Sequence, residues 1–357
     1  MVKLDRKIVG ILIVMTLMLS VMAAGCTTQN AVTPSSQATK TITDFSGAAV
    51  TVPAVVNNVT CLHPIPTFIV WRLAPQTLKS VDNNFKINMY DEAFTPSNAS
   101  YLNSLPVTGN YFTPPNTEQI LSLHPDVIVT LNKDPNATSE QALYGAPVVQ
   151  ASKNNLTDYP ADFTILGNLL GNEKVANQLA DFWNNTIANV TAKVSQVPGP
   201  KPKVLYYNTK DANAPSLPGP SSVFASEVRL AGGVNYYDTN ALPAGQNPTS
   251  ENIATNVESV LAWNPDVIIT TSNATANAIM SSPTWQNTNA VKDHHVYTVP
   301  QQETMDGVQS IMGFEWAATV INPGRINVNF VNDTKTFDAL FYENANVSTQ
   351  TILAPSP

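Results

Sequence analysis

The chain has 357 residues and a formal net charge of −8, with 12% charged side chains against roughly 25% in ordinary soluble domains. An acidic chain without a Lys/Arg cluster beyond residue 7 lacks the positive footprint that nucleic acid requires. Two cysteines exclude a disulfide framework, so solubility rests on Asn, Thr, Ser and Gln and stability on packing.

The N-terminus opens on Lys3, Arg6 and Lys7, runs through apolar residues from Ile8 to Ala24, and closes on Ala-Ala-Gly-Cys at Cys26. Residues 1–26 read as a lipoprotein export signal, with Cys26 as lipid attachment point and first mature residue. Retention of the apolar run as an uncleaved anchor is the alternative. Either way the bulk of the chain is expected at the extracytoplasmic face of the cell membrane, tethered to it. Residues 27–41, nearly devoid of bulky apolar side chains, read as a flexible linker. Over 300 residues follow, more than one core usually accommodates, which predicts two lobes.

A first α/β lobe is expected over 42–155. "AVTVP" and "NVTCLHP" read as short strands. "TEQILSLHPDVIVTL" reads as a helix with Ile120, Leu121 and Leu123 turned inward, a stop at Pro125, and a buried strand Val127–Leu131; "APVVQA" adds a strand. Cys61 is expected to be an unpaired, buried small hydrophobe. Over 156–197 the apolar period becomes helical, predicting one bridging helix from about 160 to 195, on the order of 50 Å long, with Gly167 and Gly171 tolerated inside it and "PGPKPK" ending it. A second lobe, 198–345, restarts with the strand "KVLYYN", the helix "SSVFASEVRLAGG", a helix-strand unit, the strand "HVYTVP" and two closing helices; 346–357 is a tail. Strand-helix-strand succession predicts α/β architecture with mainly parallel central sheets, two similar lobes and a ligand cleft between them.

The helix-strand unit occurs twice. "NTEQILSLHPDVIVT" (116–130) and "NVESVLAWNPDVIIT" (256–270) align without a gap at an offset of 140, sharing Asn116/Asn256, Glu118/Glu258, Leu121/Leu261, Pro125/Pro265, Asp126/Asp266, Val127/Val267, Ile128/Ile268 and Thr130/Thr270. Core packing and helix termination account for the apolar positions and the Pro-Asp turn. Glu118 and Glu258 fall on the polar side, where folding would accept Lys, Gln or Ser.

Together with "ITDFSGAAVTVP", "LPVTGNYFTPPNTEQILSLHPDVIV", "LAGGVN" and "AVKDHHVYTVP", in that order, these motifs resemble the substrate-binding proteins of ABC importers for iron-siderophores, cobalamin and haem, over nearly all of 42–345. The resemblance implies two α/β lobes joined by a rigid helix, and one docking glutamate per lobe facing arginines of a permease dimer that works with a cytoplasmic ATPase. Those glutamates fall on Glu118 and Glu258. The chain departs from the pattern at Phe68, where Glu is frequent, and in a long polar segment from Tyr236 to Asn252.

Parallel α/β sheets present ligands beyond their strand ends. This nominates His63, Trp71, Asn110, Tyr111, Asn132, Lys133, Tyr207, Asn208, Gln301 and Met305 as cleft residues. Trp316 reads as a core aromatic, His294 and His295 as a surface turn, and His124 as solvent-facing. Four scattered histidines do not supply the convergent ligands of a bare metal site, so no metal ligands, catalytic residues or resident cofactor are expected. No phosphate loop, HExxH, GxSxG or cysteine pair points to an enzyme. The expected function is that of a monomeric, lipid-anchored solute-binding protein delivering a chelated metal, foremost an iron-siderophore-type complex, to an ABC importer. The alternatives are a corrinoid or haem cargo, or a glycosylated surface protein, since nine Asn-X-Ser/Thr triplets begin at Asn58, Asn98, Asn136, Asn155, Asn184, Asn189, Asn273, Asn332 and Asn346.

Overall fold

The computed structural model describes residues 38–83, 85, 96–109, 115–131, 143–151, 155–207, 209, 211–300 and 307–342. Residues 39–357 form one compact unit; of the separate unit Met1–Ala38 only Ala38 is described, so Cys26 lies outside the described residues. Among the described residues no helix is long and apolar enough to cross a membrane.

An antiparallel hairpin, β1 (Thr39–Thr43) and β2 (Ala49–Pro53), opens the unit. The Asp44 carboxylate closes its turn by accepting from Ser46 and Ala48 N–H. The hairpin then docks on residue 150, through Phe45 N–H to the Gln150 carbonyl and Gln150 N–H to Asp44 Oδ2. The first parallel sheet combines β3 (Val59–Cys61), β4 (Leu78–Ser80), β5 (Val127–Leu131) and β6 (Val148–Ala151), in the order β4-β3-β5-β6. The hairpin therefore covers the β6 edge, which would otherwise offer unpaired backbone groups. Helices α1 (Pro64–Leu73), α2 (Pro96–Ser104) and α3 (Thr117–Ser122) belong to this lobe. α1 is apolar all round and every residue but Arg72 is buried, as a helix enclosed by the core must be.

The single long helix read from periodicity is two helices, α4 (Tyr159–Leu170) and α5 (Glu173–Val194). Gly171, at φ +69°, ends α4 in the left-handed region, a conformation glycine adopts without strain. The chain then folds back: Trp183 stacks on Tyr159 with centroids 4.5 Å apart, meets Phe163 edge-on at 5.5 Å, and donates its indole N–H to the Leu156 carbonyl at 2.7 Å. Gly167 is no tolerated blemish. A Cβ there would lie 2.3 Å from the Ala176 Cβ, so the close approach of the two helices depends on its absence. Gly167→Val is expected to lower stability by about 3 kcal/mol through overpacking, read as a shift in the urea midpoint; Gly171→Ala leaves the helix contact intact and should cost less.

α5 carries the chain to the second lobe over about 33 Å at 1.5 Å per residue. Its N-terminal neighbour Asn172 donates to the Leu73 carbonyl at the end of α1, while at its far end Val194 packs where a Gly232 Cβ would stand. The second lobe comprises β7 (Lys203–Tyr207), β8 (Ser216–Leu217), α6 (Val223–Leu230), β9 (Val234–Asn235), α7 (Tyr236–Thr239), β10 (Ile253–Ala254), α8 (Val257–Trp263), β11 (Val267–Thr270), α9 (Asn273–Ser281), α10 (Asn289–Lys292), β12 (Val296–Thr298), α11 (Ser310–Ile321) and α12 (Phe330–Phe341). Its parallel sheet has the order β9-β7-β11-β12. Numbered by appearance, both sheets read 2-1-3-4, so the sequence repeat sits on matching third strands.

The last helix returns to the first lobe. Tyr342 meets Phe68 edge-on at 5.4 Å, Phe341 meets Phe163 at 5.7 Å, and Arg72 donates to the Leu340 carbonyl at 2.6 Å. Phe68 is fully buried in this cluster, so the Glu-to-Phe departure changes the core rather than a ligand surface. Trp316 is half-buried against the same core, as read from its helical stripe.

Helices α11 and α12 each bury a carboxyl. Glu315 is fully buried, and burial, with Asp333 beside it, pushes its carboxyl up to about 8. Asp338, 7% exposed, is raised to about 7 by burial. Because the unfolded chain ionises near 4.5 while folded Glu315 holds its proton to about 8, stability is full below the lower value and declines as pH rises to the upper. Glu315→Gln should flatten that decline and raise Tm at pH 8 by roughly 5 °C, measured by thermal unfolding between pH 4 and 9.

Candidate functional site

The two repeats build matching corners. Asn116 and Asn256 each cap their helix, the side-chain oxygen accepting from Gln119 N–H and Ser259 N–H at 3.1 Å in both. Both helices end in a left-handed residue at the same repeat position, His124 (φ 47°) and Asn264 (φ 56°). The shared aspartate then clamps the first strand of each sheet. Asp126 Oδ2 accepts from Asn57 and Asn58 N–H at 2.7 and 3.0 Å, and Asp266 Oδ2 accepts from Lys203 N–H at 2.9 Å. The Pro-Asp turn therefore does more than stop a helix. It fixes each α3- or α8-type helix to the start of the central strand.

On this frame Glu118 and Glu258 occupy the second helical position, both exposed, with no hydrogen bond or ion pair to either carboxylate among the described residues. A first-turn carboxylate gains a few tenths of a kcal/mol from the helix N-terminus, a local reason for Glu over Lys that the sequence reading overlooked. Each helix precedes its strand through a tight reversal, so its N-terminus stands toward the C-terminal ends of the parallel strands, where such sheets present ligands. Of the helix residues read as inward, only Ile120 is buried; Leu123 is half-buried and Leu121 exposed.

His63, Trp71 and Tyr207 are the proposed cleft residues that fall among the described ones. His63, 6% exposed, caps α1 by accepting from Ile65 N–H on Nδ1 at 3.2 Å. Trp71 is 3% exposed and packs on Phe68, which removes it from a ligand surface: in its helix every residue but Arg72 is buried. Tyr207 is fully buried and donates its hydroxyl to the Asp211 carbonyl at 2.6 Å; burial pushes that phenol up to about 12. Asn110, Tyr111, Asn132, Lys133, Asn208, Gln301 and Met305 lie outside the described residues.

Three side chains hold the loop after β7 from below. Besides Tyr207, Trp285 donates to the Ala212 carbonyl at 3.0 Å and Thr275 to the Thr209 carbonyl at 3.2 Å. Neither Trp285 nor Thr275 was picked out by sequence reading, because each comes from over sixty residues downstream. Cys61 is buried and unpaired, and burial raises its thiol far above the ordinary range. Among the described residues no three His, Cys, Asp or Glu side chains converge as a metal site. His124 and His294 are exposed, each in left-handed backbone, and His295 is half-buried beside Tyr297. Of the sequons, Asn58 spends its amide on the Leu123 and His124 carbonyls, whereas Asn184, Asn189, Asn273 and Asn332 are exposed.

Residues 76–303 match a family described as periplasmic binding protein. A curated relative, the uncharacterised ABC transporter substrate-binding lipoprotein YvrC of Bacillus subtilis, is 24% identical over 214 residues; the match covers 58% of this chain and 65% of that one. Among solved structures, an ABC transporter solute binding protein from Sulfurospirillum deleyianum is similar with a TM-score of 0.75 at 22% identity, covering 88% of this chain and 99% of that one. The molybdate-bound protein MolA of Haemophilus influenzae reaches a TM-score of 0.68 at 19% identity, over 86% and 98% of the respective chains. At these identities the structural likeness establishes the fold.

Proposed function

Starting from the fact that this chain belongs to the periplasmic binding protein family, we propose that it is the extracytoplasmic solute-binding protein of an ABC importer, anchored by lipid on Cys26. The observation that carries this reading is the pair of exposed, unpartnered glutamates at equivalent positions of two lobes with one sheet order. A two-fold permease presents the same basic feature twice, and a carboxylate repeated on matching helices meets both copies. Such rim charges steer and orient docking.

The cargo we infer is a chelated metal, foremost an iron-siderophore-type complex, with corrinoid and haem as runners-up in the same class. Support comes from the order of sequence motifs, and from a chain in which amides and aromatics outnumber charges at the strand ends; such groups grip an organic chelate while a few polar anchors orient it. His63, Asn110, Tyr111, Asn132, Lys133, Asn208, Gln301 and Met305 remain the proposed contacts. Trp71 is withdrawn, and Tyr207 acts by shaping the loop above it. MolA keeps an oxyanion in view.

The test is a titration of intrinsic tryptophan fluorescence on the mature chain from Thr27 against ferric siderophores, cobalamin, haem, molybdate and free metal ions. Trp285, 5.9 Å from Tyr207 beneath the pinned loop, serves as a reporter on the second lobe. Saturable quenching by one chelate is the expected result. Saturation by molybdate or a bare ion alone would overturn the chelate assignment.

A further inference from the structure

Leu121 and Leu143 break the symmetry of the two lobes. They are 43% and 56% exposed. In the second lobe, the counterpart Leu261 and Met280 of α9 are only partly exposed and pack against the local core. Leu121 lies three residues after Glu118, and residues three apart share one side of a helix. It also reaches Gly145, its Cδ2 standing 4.0 Å from where a Cβ would be, two residues along the chain from Leu143. The first lobe thus carries an apolar strip continuous with its docking carboxylate. Single exposed leucines need no explanation, but one that shares a helix side with an exposed carboxylate and reaches a glycine two residues from a second exposed leucine does.

We propose that this strip is an apolar contact for the permease subunit that meets Glu118, and that the partner surface is an apolar side chain flanking the cation opposite that carboxylate. The inference rests on the docking reading above. Charge selects this occupant over a second copy of the chain: pairing the strip with itself would bring two Glu118 carboxylates together on molecules of net charge −8, and like charges across an interface are costly. A cationic partner gains from the same arrangement. The division of labour is then physical: the two glutamates orient the encounter, and the strip on one lobe adds buried apolar area that slows departure.

The experiment measures stimulation of ATP hydrolysis by the importer's permease–ATPase complex in nanodiscs, titrated with the binding protein. Leu121→Gln with Leu143→Gln should raise the half-stimulating concentration about tenfold, the worth of half-burying two leucines, while the thermal midpoint stays at the wild-type value. Leu143→Gln alone, the more exposed site, should give about a threefold change and guards against loss of fold in the double variant. Glu118→Arg with Glu258→Arg runs alongside. If charge reversal abolishes stimulation but the leucine variants match wild type, the apolar contact is wrong and docking stands. If charge reversal also leaves stimulation unchanged, the docking reading itself fails.

Discussion

With Glu118→Arg and Glu258→Arg combined, cargo uptake by cells should fall at least about 100-fold while cargo affinity of the purified protein stays within twofold of wild type. Both carboxylates are exposed and make no hydrogen bond or ion pair among the described residues, so reversing them breaks no such contact. Under the docking proposal, reversal turns two attractive rim contacts into repulsive ones, each costing several kcal/mol of association. The single variants should fall between, and nearly equally, because the two helices share cap, length of first turn and attachment to the central strand. Raising ionic strength should weaken the wild-type interaction and partly relieve the repulsion in the double variant, since screening weakens attraction and repulsion alike. Uptake that survives the double change, in a variant that still binds cargo, would remove these residues from docking.

Trp183→Ala is the substitution expected to harm stability most, by about 3 to 5 kcal/mol. The indole is fully buried at the crossing of α4 and α5, stacked on Tyr159, edge-on to Phe163 and 6.3 Å from Phe341 of the returning α12. Truncation opens a cavity where three segments converge and strips the Leu156 carbonyl of its donor. Trp183→Phe keeps a ring in the stack and loses the hydrogen bond, so it should cost about 1 to 3 kcal/mol. Chemical denaturation of the two variants separates the contributions. If both cost the same, the hydrogen bond carries the effect and the stacking argument fails.

Local chemistry made part of this molecule legible in advance. Strands such as Val127–Leu131 and the helices that precede β5 and β11 follow from β-branched runs, apolar spacing and turn residues acting within a few positions. The repeat announced two lobes, and their common sheet order fulfils it. Burial of Cys61 followed from its apolar flanks. The site was less legible. Strand-end logic points to loops, many of which lie outside the described residues, and within α1 it could not tell Trp71 from a surface residue.

What the sequence by itself determined is therefore whatever depends on neighbours a few residues apart: element type, the duplicated corner, and the carboxylates exposed on it. Tertiary structure decided what depends on distant partners. Helical periodicity over 160–195 is the same for one long rod and for two helices folded back on each other, because either arrangement buries one apolar stripe. The turn was settled at Gly171, and the close approach of Gly167 to Ala176 holds the hairpin together. Likewise Phe68 is a core residue because the end of α12 returns from the far end of the chain to cover it, a contact between positions some 270 residues apart, for which no local pattern carries a signal.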